Sequence, residues 1–263
     1  MNKDIFNFKD KVIFVTGGTG HLGKSIVNAF CERGATVIVN SRNKKKNLDF
    51  TKSLNSKGFN AKSCIFDISD YISRDEALEK INLNKVDVLI NNAYAGSSGS
   101  VISSSDQDYL NSYMQTVVAS QNLFKKLFPK IKMAVKKNSD ASVINIASMY
   151  GLVAPHVNIY EKNQENPPFY GAAKAALLQW TKYAAVEFAN SGIRFNSISP
   201  GAFPSETAQE KNPLLMSKLI DLVPMRRFGK PEDLTTSVLF LSSPHSNYVT
   251  GSNINVDGGW TSW

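Results

Sequence analysis

One stretch, Thr16-Gly17-Gly18-Thr19-Gly20-His21-Leu22-Gly23, constrains the fold of this chain more than any other. It stands between a short β-branched run, Val12-Ile13-Phe14-Val15, and an amphipathic segment from Leu22 to Arg33 that Gly34 closes. Glycines spaced three apart at a strand-to-helix turn open a βαβ unit. Gly17 permits the tight turn, Gly20 lets the backbone approach a pyrophosphate, and Gly23 lets the helix pack closely on the sheet. The helix N-terminus then offers free N–H groups and partial positive charge to phosphates.

The rest of the chain repeats the alternation. Strands are expected at Thr36–Val39, Lys62–Phe66, Val86–Ile90, Ser142–Ala147, Arg194–Ser199 and Asn253–Val256. Helices are expected at about Lys44–Lys57, Asp75–Ile81, Asp106–Lys137, Tyr170–Asn190 and Pro231–Leu241, with a loop carrying helical pieces over Pro204–Asp221. Short apolar strands alternating with helices imply a parallel sheet covered on both faces. The fold class read from this is α/β, a doubly wound, Rossmann-like parallel sheet of about seven strands, with residues 1–263 forming one dinucleotide-binding domain.

Composition narrows the function classes. Hydrophobic residues make up 42% and charged residues 20%, which is ordinary for a globular chain. The net charge of +8 favours anionic ligands. The lysines are spread along helices without a basic arm or an aromatic RNA motif, so no nucleic-acid partner is expected. Cys31 and Cys64 fall in apolar segments and read as buried free thiols of a reducing compartment. His21, His156 and His245 are too scattered for a metal site. The N-terminus lacks an apolar signal core and no apolar run reaches membrane-spanning length, so a cytoplasmic location with no membrane partner is expected.

The second strand ends in Asn40-Ser41-Arg42. A site selective for NAD puts a carboxylate here to bind the adenosine ribose, and that carboxylate would repel a 2′-phosphate. None is present, and Arg42 can form charge-assisted bonds to phosphate. NADP(H) is therefore expected over NAD(H). Lys44, Lys45 and Lys46 add positive field but read individually as a solvated helix face.

Further signals follow in order: Asp67 past the third strand, Asn91-Asn92-Ala93 past the fourth, Ser148 past the fifth, Tyr170-Gly171-Ala172-Ala173-Lys174, Pro200-Gly201 past the sixth, and Val256-Asp257-Gly258-Gly259. This ordered set resembles the single-domain short-chain dehydrogenase/reductase family over nearly the whole chain. The residues carry chemistry of their own. Tyr170 and Lys174 share a helix face. An ammonium beside a phenol lowers the phenol pKa from about 10 towards the range for proton transfer, and the Ser148 hydroxyl can donate to a substrate oxygen where charge develops. The resemblance implies the same roles for the catalytic set Ser148, Tyr170 and Lys174, with Lys174 also on the nicotinamide ribose. It implies cofactor contacts from the turn residues Gly17, Thr19, Gly20, His21, Leu22 and Gly23, from Ser41 and Arg42, from Asp67 and Ile68 around the adenine, and from Asn91 and Ala93 along the cleft. The segment after Pro200-Gly201, Phe203 included, would hold the nicotinamide. A homo-dimer or homo-tetramer is implied, with the helix after Asp106 and the helix of Tyr170 as interface elements.

The chain departs from the family pattern in several places. His21 stands where single-domain members usually carry glycine, a spacing more like the extended, sugar-nucleotide-modifying members. Tyr94 also replaces a usual glycine. The asparagine that supports a relay water in the family aligns near Thr116, with Gln115 adjacent. The segment before Tyr170 is long and polar, His156 to Pro168, and is expected at the mouth of the substrate cleft, where it suits a hydroxyl-rich or charged ligand better than a lipid. Tyr160 within it lacks a lysine four residues on, where Gln164 stands, so Tyr170 is the expected acid. The run Asn166-Pro167-Pro168-Phe169-Tyr170-Gly171 resembles reductases of bacterial surface-glycan and flagellin-modification pathways, which implies a keto-sugar. Two other functions compete: a 3-oxoacyl-thioester reductase, whose acidic carrier would suit Lys125, Lys126, Lys130, Lys132, Lys136 and Lys137, and a nucleotide-binding regulator without catalysis.

Overall fold

The computed structural model describes residues 4–161 and 165–263. Lys162, Asn163 and Gln164 of the polar insert lie outside the described residues. Seven parallel strands form one sheet in the order β3-β2-β1-β4-β5-β6-β7. They are β1 (Val12–Val15), β2 (Thr36–Ser41), β3 (Asn60–Ile65), β4 (Val88–Asn91), β5 (Ala141–Ile146), β6 (Ile193–Pro200) and β7 (Asn253–Val256). The order reverses between β1 and β4, so the chain opens a crevice there at the carboxyl ends of the strands, where open α/β sheets bind ligands.

Alternation along the strands supplies the two faces. Ile13, Val15, Val37, Val39, Val88 and Ile90 pack with Ile26, Val27 and Phe30 of α1 (His21–Cys31), Leu54 of α2 (Lys44–Ser56) and Leu234, Val238 and Leu239 of α9 (Pro231–Ser242). Phe14, Ile38, Leu89, Val143 and Phe195 pack on the other face. Their partners include Leu123, Phe124, Leu127 and Ile131 of α5 (Ala119–Asn138) and Ala184 and Ala185 of α6 (Pro168–Phe188). Each such aliphatic or aromatic side chain contributes about 1.5–3 kcal/mol when removed from water. Phe195 sits among Phe124 and Phe188, with ring centroids 4.9 and 5.6 Å away. The far end of β6 is tied by Arg194, buried, whose Nε donates to Asp140 at 2.8 Å while Nη1 donates to the Leu241 carbonyl at 2.9 Å.

Element boundaries differ from expectation in three informative places. Helix α3 runs Tyr71–Ile81, beginning before Asp75, because the Asp70 carboxylate accepts from the N–H groups of Ile72 and Ser73 and caps it. The long helix expected from Asp106 is α4 (Asp106–Tyr113), a π-helical turn over Met114–Val118, then α5. Periodicity cannot reveal that one-residue insertion, and π-bulges cluster at functional sites. Helix α6 starts at Pro168, two residues before Tyr170, since proline fits a first helical position. The loop after β6 carries α7 (Glu206–Lys211) and α8 (Pro213–Leu222). Among the described residues no helix is long and apolar enough to cross a membrane, and no cluster of three His, Cys, Asp or Glu could hold a metal ion.

Candidate active site

The glycine turn works by contact. Gly17 has φ +63°, and a Cβ there would stand 2.9 Å from Ala93 Cα. Gly18, which sequence reasoning passed over, would bring a Cβ to 2.8 Å of Val39 Cγ1. A Cβ on Gly23 would strike Gly17 O and Gly18 Cα, so the close approach made by Gly23 is between the helix and the turn itself. Gly20 meets only the Gly17 carbonyl, which leaves its other side open to the cleft. No side chain caps α1, so its first-turn N–H groups are left without a side-chain acceptor at the edge of the cleft. Thr16 Oγ1 accepts from the N–H groups of Asn92 and Ala93 and pins the turn to the end of β4.

A cleft of about 510 Å³ runs across this turn. Gly17, Thr19, Gly20, His21, Leu22, Gly23, Ser41, Arg42, Asp67, Ile68 and Ala93 all line it, as expected cofactor contacts. His21 is exposed at its rim. The Ser41 hydroxyl is already engaged, donating to the Asn43 carbonyl and accepting from Asn47. Arg42 lies 3.7 Å from the Asp67 carboxylate with its side chain 68% exposed, a loose pair that leaves the guanidinium available. Lys46 also lines the cleft beside it, whereas Lys44 and Lys45 do not. Asn91 departs from expectation: its side chain is buried and donates to Asn145 across the sheet at 2.8 Å, and Asn145 in turn donates to Thr181. The residue that lines the cleft is Asn92, whose amide donates to the carbonyls of Thr16 and Gly17. In a strand, successive side chains point to opposite faces, so the Asn-Asn pair divides between core and cleft.

A pocket of about 250 Å³ joins the cleft at Leu22, Asn92 and Tyr94 and brings together Ser148, Tyr170, Lys174, Pro200, Gly201 and Phe203. Ser148 follows β5, with its Oγ accepting from Tyr150 N–H and hydrogen-bonded to the Tyr170 phenol. Lys174 lies one turn beyond Tyr170 on the buried face of α6, where its Nζ donates to the Ile146 carbonyl at 2.7 Å. Burial brings the Lys174 pKa down to about 7. Burial also pushes the Tyr170 phenol up, against the smaller downward pull of the Ser148 hydrogen bond. The expected lowering of Tyr170 by Lys174 is therefore not found. Desolvation of the pair outweighs the ammonium, which lies 5.7 Å from the Tyr170 ring centroid. A phenol of raised pKa keeps its proton at neutral pH and can give it to a substrate oxygen.

The two relay candidates separate clearly. Gln115 Oε1 accepts from the Ala95 N–H at 3.1 Å. Thr116, inside the π-helical turn, is buried, and its Oγ1 has no partner among the described residues. A buried hydroxyl without a partner is where an ordered water belongs.

The polar insert does not do what its composition suggests. None of its described residues lines the catalytic pocket. Ile159, in a single 3-10 turn (Val157–Ile159), packs with Leu219 of α8, Trp260 and Tyr150 in a small apolar cluster. Tyr160 is hydrogen-bonded to the Tyr150 hydroxyl at 2.9 Å. Val157, Glu165, Asn166, Pro167 and Pro168 instead line an apolar groove of about 680 Å³ on the outer side of α6.

Comparison with known proteins agrees with this geometry. A family model described as enoyl-(acyl carrier protein) reductase matches residues 19–261. The sorbose reductase of Candida albicans is 33% identical over 261 residues, covering 98% of this chain and 89% of its own. The 3-oxoacyl-[acyl-carrier-protein] reductase of Thermotoga maritima is 30% identical over 255 residues, covering 95% and 97%. Among solved structures, the L-sorbose reductase of Gluconobacter frateurii complexed with NADPH and L-sorbose superposes with a TM-score of 0.86 at 25% identity, covering 99% of this chain and 100% of that one. The chain belongs to the short-chain dehydrogenase/reductase family and is an oxidoreductase of that family.

Proposed function

We propose that the protein transfers a hydride between NADP(H) and a carbonyl or secondary alcohol of a sugar-like substrate, residues 1–263 acting as one unit. The observation that carries the reaction is the convergence of Ser148, Tyr170 and Lys174 in one pocket at the end of the dinucleotide cleft. The residues present fit a dinucleotide: an uncapped helix N-terminus faces the cleft, and Gly20 leaves main chain open to it. The cofactor supplies the hydride. Ser148 donates to the carbonyl oxygen, the Tyr170 phenol gives that oxygen its proton, and Lys174 takes the nicotinamide ribose hydroxyls. Thr116 holds the water through which the pair is reprotonated. Pro200, Gly201 and Phe203 wall the nicotinamide end. The preference for NADP(H) rests on Arg42, seconded by Lys46, and on the lack of a carboxylate at the end of β2.

The sugar-like substrate rests on the two sorbose reductases above, since the insert stands beside the pocket rather than in it. A 3-oxoacyl-thioester reductase is the second reading. The Thermotoga maritima relative and the basic α5 favour it, with Lys125 and Lys126 exposed on that helix. NADPH and NADH oxidation should be followed with L-sorbose, other keto-sugars, nucleotide-linked keto-sugars and acetoacetyl thioester. Turnover of a keto-sugar at ten times the thioester rate or better, about the discrimination that 1.4 kcal/mol provides, supports the first reading. The reverse ratio supports the second, and binding of NADPH without turnover of any carbonyl would identify a nucleotide-binding regulator. The exposed apolar side chains of α4 (Tyr109, Leu110, Tyr113) and α6 (Tyr183, Val186) suit a homo-dimer or homo-tetramer, which light scattering would measure.

A further inference from the structure

The loop after β4 places an aromatic ring where it touches both members of the proton-transfer pair. The Tyr94 ring lies 4.9 Å from the Tyr170 ring, centroid to centroid, and the Lys174 ammonium stands 5.4 Å from its centre. The ring is held from two other sides. Its hydroxyl shares a hydrogen bond with Ser112 of α4 at 3.1 Å, and a Cβ on Gly96 would stand 2.6 Å from its Cε1. Tyr94 lines both the dinucleotide cleft and the catalytic pocket, so it stands at their junction. A residue without a side chain, the family's usual choice, would leave that junction open to water.

We propose that Tyr94 is a positioning residue of the proton-transfer pair, its ring sealing Tyr170 and Lys174 from the water of the cofactor cleft. The inference rests on the reductase reading for its use, though not for its test. An ammonium over an aromatic face keeps an attraction after losing water. The ring thus allows Lys174 to remain dry while holding it in place beside Tyr170. Exclusion of water also strengthens the Ser148–Tyr170 hydrogen bond. Among the described residues, the titratable groups facing the phenol are Tyr94 from the loop after β4, Tyr150 from the turn after β5 and Lys174 on its own helix.

The test compares Tyr94→Ala, Tyr94→Leu and Tyr94→Phe. Tyrosinate absorbance is followed after a rapid pH jump, each variant being paired with the same variant carrying Tyr170→Phe, so that the difference reports Tyr170 alone. Truncation to Ala admits water to both groups, and the Tyr170 midpoint should fall by about one unit or more. NADPH affinity is read by fluorescence alongside, so that a loss of cofactor binding is told apart from a change at Tyr170. With a turned-over keto-sugar, kcat should fall about tenfold with the alkaline limb of its pH profile displaced downwards. Tyr94→Phe keeps the ring and loses only the smaller upward push of the Tyr94 hydroxyl, so it should titrate closest to the native chain, with Tyr94→Leu between it and Tyr94→Ala. A folded Tyr94→Ala or Tyr94→Leu with an unchanged Tyr170 midpoint overturns the proposal, as does a loss confined to NADPH affinity. Because the titration needs no substrate, failure to find a turned-over carbonyl would count against the reductase reading and leave this result standing.

Discussion

The glycine-turn end of the cleft and the end that holds Ser148 and Tyr170 are built by different means. At the first, main chain does the work: a turn of glycines, an uncapped helix start, and a threonine pinning one strand end to the next. At the second, side chains arrive from distant segments: Tyr94 packs on Tyr170, and Tyr150, Leu219 and Trp260 form the apolar cluster against which Tyr170 packs. Backbone architecture requires particular residue types at particular spacings, and side-chain architecture requires only that volumes fit. The first is therefore constrained by the geometry of the fold, while the second can change without disturbing the sheet.

Substitutions can break this contrast at either end. The largest stability effect is expected at Lys174. Its folded pKa, lowered to about 7 from the ordinary 10.5, means that the unfolded chain binds more protons between those values, so stability rises with pH across that window. Below about 7 the full penalty of burying an ammonium applies. Lys174→Met should therefore melt at a higher temperature than the native chain near pH 6, by a few kcal/mol at most, with the gap closing as the pH rises towards 10. A constant gap across that range would show that Lys174 is not buried as a titrating group. Gly23→Ala tests the main-chain end: its methyl would strike the turn, which should cost about 1–3 kcal/mol in a urea melt and abolish NADPH binding.

Arg42→Ala separates the cofactors. Loss of a charge-assisted bond worth about 1.5–3 kcal/mol should weaken NADPH roughly 10- to 100-fold and leave NADH almost unchanged. Equal losses for both would remove Arg42 from the 2′-phosphate. The smallest effect belongs to the side-chain end. Tyr160→Phe removes one hydrogen bond, to Tyr150, and should cost about 1 kcal/mol or less, read as a small shift in melting temperature with kcat preserved.

Sequence alone carried the parallel sheet and most of the residues that line the cleft across the turn, because glycine spacing and the residues after β2 act through local geometry. It misplaced Asn91 and passed over Asn92 because the pair divides between core and cleft, and spacing does not say which member goes where. It could not show the π-helical turn that isolates the Thr116 hydroxyl, since one inserted residue hardly disturbs helical periodicity. The insert was misleading for a related reason. Its polar composition implied a ligand, but its apolar member Ile159 packs it on the cluster of Tyr150, Leu219 and Trp260. Tyr94 was visible as a departure from the family pattern, yet its contacts with Tyr170 and Lys174 exist only in three dimensions.

The central claim is that the Tyr170 phenol passes the proton that completes hydride transfer. It is tested most directly by comparing Tyr170→Phe with the native chain in single-turnover NADPH oxidation, alongside NADPH binding by fluorescence. The account predicts a fall in the oxidation rate of about a thousandfold, within the range of a lost general acid, with NADPH affinity unchanged. A variant that oxidises NADPH at the native rate would contradict it.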